Sequence, residues 1–330
     1  MSAKRVKAIG LLSGGLDSTL AVKLMLEQGI EVIALNFVTP FCTCTKRGCL
    51  SEAKKVADKF GIELKIIRVG EEYIKIVKSP KYGYGKNINP CIDCRIFMFL
   101  KAREYMEKIS AEFVFTGEVL GERPMSQRLE AMKIIEKESG LKGRILRPLC
   151  AKRLPPTIPE LEGKVARDTL LGITGRSRKP QIELAQRMGI DDYLCPAGGC
   201  RLTDPNFARR VKDAFAHNED SLKDMVLLRY GRHFRLTSGA KVIIGRNEIE
   251  NRTLSTYANG RCIMLELKDY PGPVTLLCNY RADTDIKIAA SLGIRYSDYK
   301  GMEPVHIKIN NAEEILVAPS LSGNGSYISI

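Results

Sequence analysis

The sequence predicts an α/β fold: a doubly wound parallel sheet, followed by a smaller C-terminal α+β domain. Three observations predict it. Strand-length apolar runs alternate with helix-length stretches through the first half of the chain. A glycine-serine turn joins the first strand directly to the first helix. After about residue 220 that alternation gives way to short apolar or alternating segments with turn residues between them.

The elements follow in order. Ala8–Leu12 is a short apolar strand. Asp17–Gln28 is a helix, with Leu20, Ala21, Leu24 and Met25 at helical spacing, and Gly29 ends it. Glu31–Val38 is a second buried strand, Ser51–Phe60 a helix closed by Gly61, and Glu63–Val69 a third strand. Arg95–Ile109 is a helix, Glu112–Thr116 a fourth strand, Arg123–Ser139 helical, and Arg144–Leu149 a fifth strand. Strands separated by helices give a parallel sheet with right-handed crossovers, and ligands of such sheets bind beyond the carboxyl ends of the strands. Arg153–Lys164, with Pro155, Pro156 and Pro159, is a connector. Lys179–Gly189 and Pro205–Asn218 are further helices, the second carrying Arg209, Arg210 and Lys212. Lys241–Ile244, Cys262–Leu267, Val274–Leu277 and His306–Ile309 belong to a mostly antiparallel sheet. The domains are therefore expected at 1–220 and 221–330, with the last residues a loose tail or an edge strand.

The chain has 330 residues, enough for two domains, and 44% of them are hydrophobic. No run reaches the roughly 20 apolar residues of a membrane span. The first residues lead straight into a strand and show no secretory apolar region, so a cytoplasmic location with no membrane partner is expected. Lys and Arg number 52 against 38 Asp and Glu, a formal charge of +14. Such an excess favours a polyanionic partner, because each neutralised phosphate releases counterions; the other reading is a solvated Lys-rich surface. Ten cysteines suit metal binding or thiol chemistry better than a disulfide scaffold. Cys42, Cys44 and Cys49 cluster, as do Cys91 and Cys94, and Cys195 and Cys200. Cys150, Cys262 and Cys278 stand alone and are expected in the core.

Ser13-Gly14-Gly15-Leu16-Asp17-Ser18 lies between the first strand and the first helix. Two glycines let the backbone turn tightly and approach a ligand, and the N–H groups at the helix start form an anion site. Ser13 and Ser18 add hydroxyls. Asp17 would repel a bare phosphate, and makes sense when Mg²⁺ stands between them. No Gly-Lys-Ser/Thr follows, so this is not a Walker loop, nor is it the dinucleotide G-x-G-x-x-G.

Ser-Gly-Gly-x-Asp-Ser in this position resembles the PP-loop ATP pyrophosphatases, which share the adenine nucleotide alpha hydrolase-like sheet. The resemblance implies ATP cleavage between the α and β phosphates and transfer of AMP to a substrate oxygen. Asn89-Pro90-Cys91-Ile92-Asp93-Cys94-Arg95 resembles the Asn-Pro-Asp-x-x-Cys segment of tRNA 2-thiouridylases, whose Cys is catalytic. Here Cys91 stands in place of Asp, which creates Cys-x-x-Cys. Together with Cys195-Pro196 and Cys200 it is similar to iron–sulfur-dependent tRNA thiolases, where three cysteines hold a [4Fe–4S] cluster. Thiolates are soft ligands for iron–sulfur or Zn²⁺, and a Cys-x-x-Cys pair needs a further ligand to close a site. Cys195 is the favoured third ligand and Cys200 the other. A closed Zn²⁺ site, or a metal-free persulfide pair, stays open as an alternative.

Thr116-Gly117-Glu118-Val119-Leu120-Gly121-Glu122-Arg123-Pro124-Met125-Ser126-Gln127 follows the fourth strand. It resembles the Thr-Gly-Glu-Ser-x-Gly-Gln-x-Ala-Ser-Gln segment of 4-thiouridine synthetases. That resemblance puts Gly117, Glu118 and Gln127 at ribose, adenine or Mg²⁺. Cys42-x-Cys44-x₄-Cys49 follows the second strand and points toward the same edge, as a sulfur relay, a second metal site or incidental loop thiols. The charges of Gly175-Arg176-Ser177-Arg178-Lys179 suit nucleotide phosphates, RNA backbone or a solvated helix start. His217, His233 and His306 are isolated, and none is expected in catalysis.

Gly245-Arg246-Asn247-x₃-Asn251 and the later Tyr270-Pro271-Gly272-Pro273 resemble the NFACT-type RNA-binding domain. Arg229, Arg232, Arg235, Lys241 and Arg246, with Tyr230 and Phe234 between them, suit phosphate contacts and base stacking. The expected activity is ATP-dependent tRNA uridine thiolation: a carbonyl is adenylated and its oxygen replaced by sulfur from sulfide, a persulfide or a sulfur-carrier protein. Asp17, Cys91, Cys94, Cys195 and Cys200 are the expected catalytic residues. A PP-loop ligase amidating a small molecule, and a non-catalytic RNA-binding protein, are the alternatives.

Overall fold

The computed structural model describes residues 5–42, 49–191, 193, 200–319 and 326–330. Two compact units result, Met1–Asp204 and Pro205–Ile330. In the first, strands β1 (Lys7–Leu11), β2 (Glu31–Val38), β3 (Glu63–Arg68), β4 (Phe113–Thr116) and β5 (Ile145–Leu146) form one sheet in the order β3-β2-β1-β4-β5. Every pairing in it is parallel. Helices α1 (Leu16–Glu27), α2 (Cys49–Phe60), α3 (Glu71–Lys78), α4 (Cys91–Lys108), α5 (Leu129–Glu138), α6 (Ile158–Leu161) and α7 (Lys179–Arg187) lie between and after the strands.

Alternation along the strands explains the double winding. Ala8, Val32, Ala34, Phe113 and Phe115 pack with Leu16, Leu20, Ala21 and Leu24 of α1. Their neighbours Ile9, Leu35 and Val114 pack with Phe99, Ala102 and Met106 of α4 on the opposite face. Each large side chain buried this way contributes roughly 1.5–3 kcal/mol. The chain leaves β1 to one side for β2 and later returns to its other side at β4, so the winding reverses there. Connections part at the carboxyl ends of β1 and β4 and leave a crevice for a ligand.

In the second unit, helices α8 (Pro205–Ala216), α9 (Leu222–Leu227), α10 (Glu248–Ser255) and α11 (Asp283–Arg295) accompany a second sheet. Its strands are β6 (Arg232–Leu236), β7 (Lys241–Ile244), β8 (Cys262–Leu267), β9 (Thr275–Cys278), β10 (Val305–Ile309), β11 (Glu313–Val317) and β12 (Tyr327–Ser329). The order is β11-β10-β8-β9-β7-β6-β12, with antiparallel neighbours. Val242, Ile244, Leu265, Leu277 and Ile307 meet Ala289, Ala290 and Leu292 of α11 in its core. The chain end is an edge strand, β12 on β6.

Several expectations change. Helix α8 groups with the second unit. Helix α4 begins at Cys91 rather than Arg95, so Cys91 and Cys94 sit in its first turn and a half. Residues 117–128 are a loop and α5 begins only at Leu129, because Gln127 closes the turn: its carbonyl accepts from Gly121 N at 2.8 Å and its side chain from Arg123 N at 3.0 Å. Helices α3, α9, α10 and α11 were not evident in the sequence. Cys262 and Cys278 do not stand alone: they face each other across β8 and β9 and form a disulfide.

Candidate active site

The site is built at the carboxyl end of β1. The Asn36 side chain reaches from β2 and donates to the Leu12 carbonyl at 2.8 Å, which fixes the strand end. Gly14 then takes φ +77, and a Cβ there would lie 2.5 Å from the Ala53 backbone nitrogen. Helix α1 starts with Gly15 as its cap and no capping side chain, so its first N–H groups keep their affinity for an anion. The Ser13 and Ser18 hydroxyls stand 3.1 Å apart, and Ser18 also donates to the Gly15 carbonyl at 2.9 Å. From the other side of the crevice, Gly117 follows β4 so closely that a Cβ would sit 2.4 Å from the Asp17 carbonyl oxygen. The two loops therefore touch, and Gly117 is required where they do.

Asp17 is the charged centre. Its Oδ1 is buried and has no hydrogen-bond partner. Burial pushes the carboxyl above its ordinary value, against the opposing charges of Arg178 and Arg123. Glu122 is raised in the same way, by burial and then by the charge of Asp17, with Arg123 and Arg178 again opposing. Two acids and two guanidinium groups thus converge on the bend. Gln181, fully buried in the first turn of α7, neighbours Asp17 as well.

Glu118 and Gln127, expected at the nucleotide, are engaged within the protein. Glu118 is buried and pairs with Arg147 and Arg95, each at 3.1 Å. Gln127 shapes the loop as described above.

A thiol pocket adjoins this site. The Tyr73 hydroxyl of α3 donates to Cys94 Sγ at 3.0 Å. Tyr73 is buried against Phe41 and Phe97, and its own proton is held well above the ordinary range by burial and by Cys94, Cys200 and Cys42. Cys42 accepts from Thr39 N at 3.3 Å. Arg201 N donates to the Phe41 carbonyl at 3.2 Å and Arg201 Nε to the Cys42 carbonyl at 3.3 Å, which brings the Cys200 turn against the end of β2. Cys200 is pushed up to about 12 by burial, then by the neighbouring charges of Cys94, Cys42 and Cys91. Cys91 and Cys94 are also raised by burial, although Arg95 opposes both. Arg123 bears on Cys91 as well as on Asp17 and Glu122, so the thiols and the phosphate bend share one guanidinium.

The structure therefore gathers Cys42, Cys94 and Cys200 around Tyr73, with Cys91 close to Cys94 and Cys200. Cys44 and Cys195 lie outside the described residues, as does the Cys49 side chain. Among the described residues no three Cys, His, Asp or Glu stand pre-set for a metal ion. The donor set still fits a soft metal in its chemistry, because thiols from several elements share one buried pocket. Cys150 is apart from it, donating to the Glu118 carbonyl at 3.3 Å. Sequence reasoning missed Tyr73 and Gln181, and reached Arg123 and Arg178 only as members of longer stretches, with no role of their own. No motif marks Tyr73; only the packing of α3 reveals it.

In the second unit, part of the expected RNA surface is corrected. Arg235 and Lys241 are buried: Arg235 binds Asp213 and Glu219, and Lys241 binds Glu219 at 2.8 Å. Phe234 is core. The Gly-Arg-Asn-x₃-Asn element is architectural, since Asn247 caps α10 by accepting from Glu250 N at 3.0 Å, Arg246 pairs with Glu250, and Asn251 accepts from Val274 N at 3.2 Å. Arg232 remains partly exposed, 4.7 Å over the half-exposed Tyr296 ring.

Residues 4–153 match the family described as Thiamine biosynthesis protein (ThiI), and residues 231–320 the NFACT protein RNA binding domain. The tRNA-specific 2-thiouridylase MnmA of Syntrophotalea carbinolica is 30% identical over 125 residues, 36% of this chain and 36% of that protein. The chain thus matches about a third of the length of such curated relatives. A 4-thiouridine synthetase solved with RNA and bound ATP is 22% identical, covering 68% of this chain and 52% of that one, with a TM-score of 0.40. The U34-tRNA thiolase NcsA of Methanococcus maripaludis, solved with its [4Fe-4S] cluster, is 18% identical over 68% of this chain and 74% of that one, with a TM-score of 0.35. The first unit thus contains a segment similar to the ThiI family, and the second a segment similar to the NFACT protein RNA binding domain.

Proposed function

We propose that this protein adenylates a uridine carbonyl of tRNA with ATP and replaces the oxygen with sulfur. One observation carries the reading: the Ser13–Ser18 bend, with its uncapped helix start and the unpartnered Asp17 oxygen, borders a pocket of buried thiols through Arg123. An ATP site beside thiols suits activation followed by sulfur attack. Ser13, Gly14, Gly15 and Ser18 hold the phosphates, and Asp17 holds Mg²⁺. Arg178 and Arg123 offset the charge that builds on the phosphates. The uridine, extruded from its stack, attacks the α-phosphorus through its carbonyl oxygen and pyrophosphate leaves. A sulfur nucleophile then attacks the ring carbon, and AMP departs with the oxygen.

Cys91, Cys94 and Cys195 would hold a [4Fe–4S] cluster, with Zn²⁺ as the alternative metal. Such a group supplies a soft Lewis-acid position where sulfide is bound. Tyr73 orients Cys94 by its hydrogen bond, and Cys200 completes the thiol pocket. Without metal, a sulfane-sulfur donor would charge Cys94 as a persulfide whose outer sulfur attacks the ring carbon, Cys200 or Cys195 would then break the S–S bond by forming a disulfide with Cys94, and an external thiol would reduce that disulfide. The NFACT-type domain supports tRNA as partner.

The test is direct. Full-length protein purified without oxygen receives α-labelled ATP, Mg²⁺, tRNA and sulfide. AMP, pyrophosphate and a thionucleoside in the digested tRNA are expected, and the thionucleoside should vanish in Cys94→Ser. Formation of ADP, or no ATP binding, would sink the proposal.

A further inference from the structure

Between α3 and α4 the chain runs Ser79-Pro80-Lys81-Tyr82-Gly83-Tyr84-Gly85-Lys86-Asn87, with lysines and tyrosines interleaved around two glycines. Glycines at that density favour a loose loop, yet this one is tied down on every side. Asp93, buried between the two cysteines of the Cys-x-x-Cys turn, accepts from Lys81 N at 2.8 Å and from Tyr82 N at 3.1 Å, one carboxylate oxygen to each. The Tyr84 hydroxyl donates to the Val77 carbonyl in the last turn of α3, at 2.7 Å. Asn87 Nδ2 donates to the Thr203 carbonyl at 2.7 Å, beside the Cys200 turn. Gly85 lies so close to the loop after β4 that a Cβ there would sit 2.5 Å from Met125 Sδ. The segment therefore borders the thiol turn, the Cys200 turn and the loop that carries Glu122 and Arg123.

What this framework leaves in solvent is rings and ammonium groups. Tyr84 is 41% exposed although its hydroxyl is engaged, and Lys81 and Lys86 are exposed. Lys81 stands 5.2 Å over the Tyr82 ring and binds Glu138 at 2.7 Å, so the loop keeps its net positive charge at Lys86. A backbone already fixed loses little entropy when something binds to it. Every base has a π face and every linkage a phosphate, so rings interleaved with cations match a single nucleic-acid strand better than a protein surface.

We infer that residues 81–86 form the rim on which the unpaired RNA strand beside the modified uridine lies, with a base stacked on Tyr84 and a phosphate at Lys86. The inference deepens the proposed function and rests on it for tRNA as the partner. Asp93 is a positioning residue in this arrangement. Its carboxylate ties the rim to the turn that carries Cys91 and Cys94, so a strand held on the loop brings its neighbouring uridine to the thiols.

The experiment titrates fluorescently labelled tRNA with the full chain, without ATP, and reads anisotropy at several salt concentrations. Tyr84→Leu is expected to weaken binding roughly tenfold, the scale of one lost stacked base. Tyr84→Phe keeps the ring and loses the hydroxyl, so it should bind like the wild type. Were Tyr84 only a strut for α3, Tyr84→Phe would be impaired as well. Lys86→Gln should weaken binding and make log Kd less steep in log salt by about 0.7, the value of one phosphate contact on a single strand. Lys108→Gln removes the same charge at the far end of α4 and should leave affinity unchanged. Thermal unfolding of each variant reads folding separately from binding. Wild-type affinity in a folded Tyr84→Leu or Lys86→Gln protein would overturn the inference and leave the loop to a protein partner. Equal losses in Tyr84→Phe or Lys108→Gln would overturn it too. The rim and the chemistry fail separately. If tRNA binding depends on Tyr84 and Lys86 but ATP yields ADP, only the adenylation is wrong. If a thionucleoside forms while the variants hold tRNA like the wild type, only the rim is wrong.

Discussion

Gly117 shows how much of the site depends on single atoms. It has no side chain to offer a ligand, yet its backbone closes the crevice against Asp17 and Ser18. Any Cβ would push the β4 loop and α1 apart, and the bend would lose the spacing that the proposed nucleotide site needs. Gly117→Ala is therefore expected to weaken ATP binding at least tenfold, as read by titration calorimetry, while the circular dichroism spectrum of the fold persists. Wild-type affinity in that variant would show that the close approach is incidental. Tyr73 acts at the same scale for the thiols: burial raises Cys94, and the hydroxyl's hydrogen bond opposes the rise.

At the scale of elements, the thiol pocket is positioned by a buried ion network. Arg147 follows β5, Glu118 follows β4, Arg95 lies in the first turns of α4 and Glu136 near the end of α5. Glu118 joins the two arginines, and Arg147 Nη1 also binds Glu136 at 2.5 Å. Arg147 is only 2% exposed, so its charge depends on these partners. Burial would lower its protonation, and the two carboxylates raise it instead. Removing one partner of a buried pair costs about 3–5 kcal/mol, because the other charge is left uncompensated. Glu118→Gln is expected to lose several kcal/mol in denaturant unfolding. A loss under about 1 kcal/mol would mean that water reaches Arg147.

For the whole molecule, each unit has its own core, and the second contains a charge cluster that links its stability to pH. Burial alone would raise Glu219, but hydrogen bonds from Arg235 and Lys241 and their charges bring it down to about 2 from 4.5. Between those values the unfolded chain binds a proton that the folded one does not. Stability from this group is therefore complete above about pH 4.5 and is lost as the pH falls toward 2. Thermal unfolding of the full chain followed from pH 6 to pH 2.5 is expected to show a transition that drops steeply below about pH 4.5. Glu219→Gln should flatten that part of the profile, and an equally steep fall in the variant would assign the effect elsewhere. The same cluster explains why the +14 charge does not translate directly into an RNA surface: Arg235 and Lys241 belong to the core.

Much of this could be read from residues alone. Continuous apolar strands such as Ala8–Leu12 and Glu31–Val38, separated by helical spacing as in α1, pointed to a parallel sheet, because strands buried on both faces leave few other arrangements. The Ser-Gly-Gly-x-Asp-Ser bend is local chemistry, and local chemistry is legible in sequence. Helices α10 and α11 were less so, since their apolar faces are short and shared with the sheet they cover. The sequence by itself determined the fold class and the glycine-serine bend at the end of β1. Only the tertiary structure decided that Cys42 and Cys200 join Cys91 and Cys94, that Glu118 serves Arg147, and that Gln181 faces Asp17. Those pairs are far apart along the chain, and no periodicity records which side chains meet once strands order themselves and helices pack.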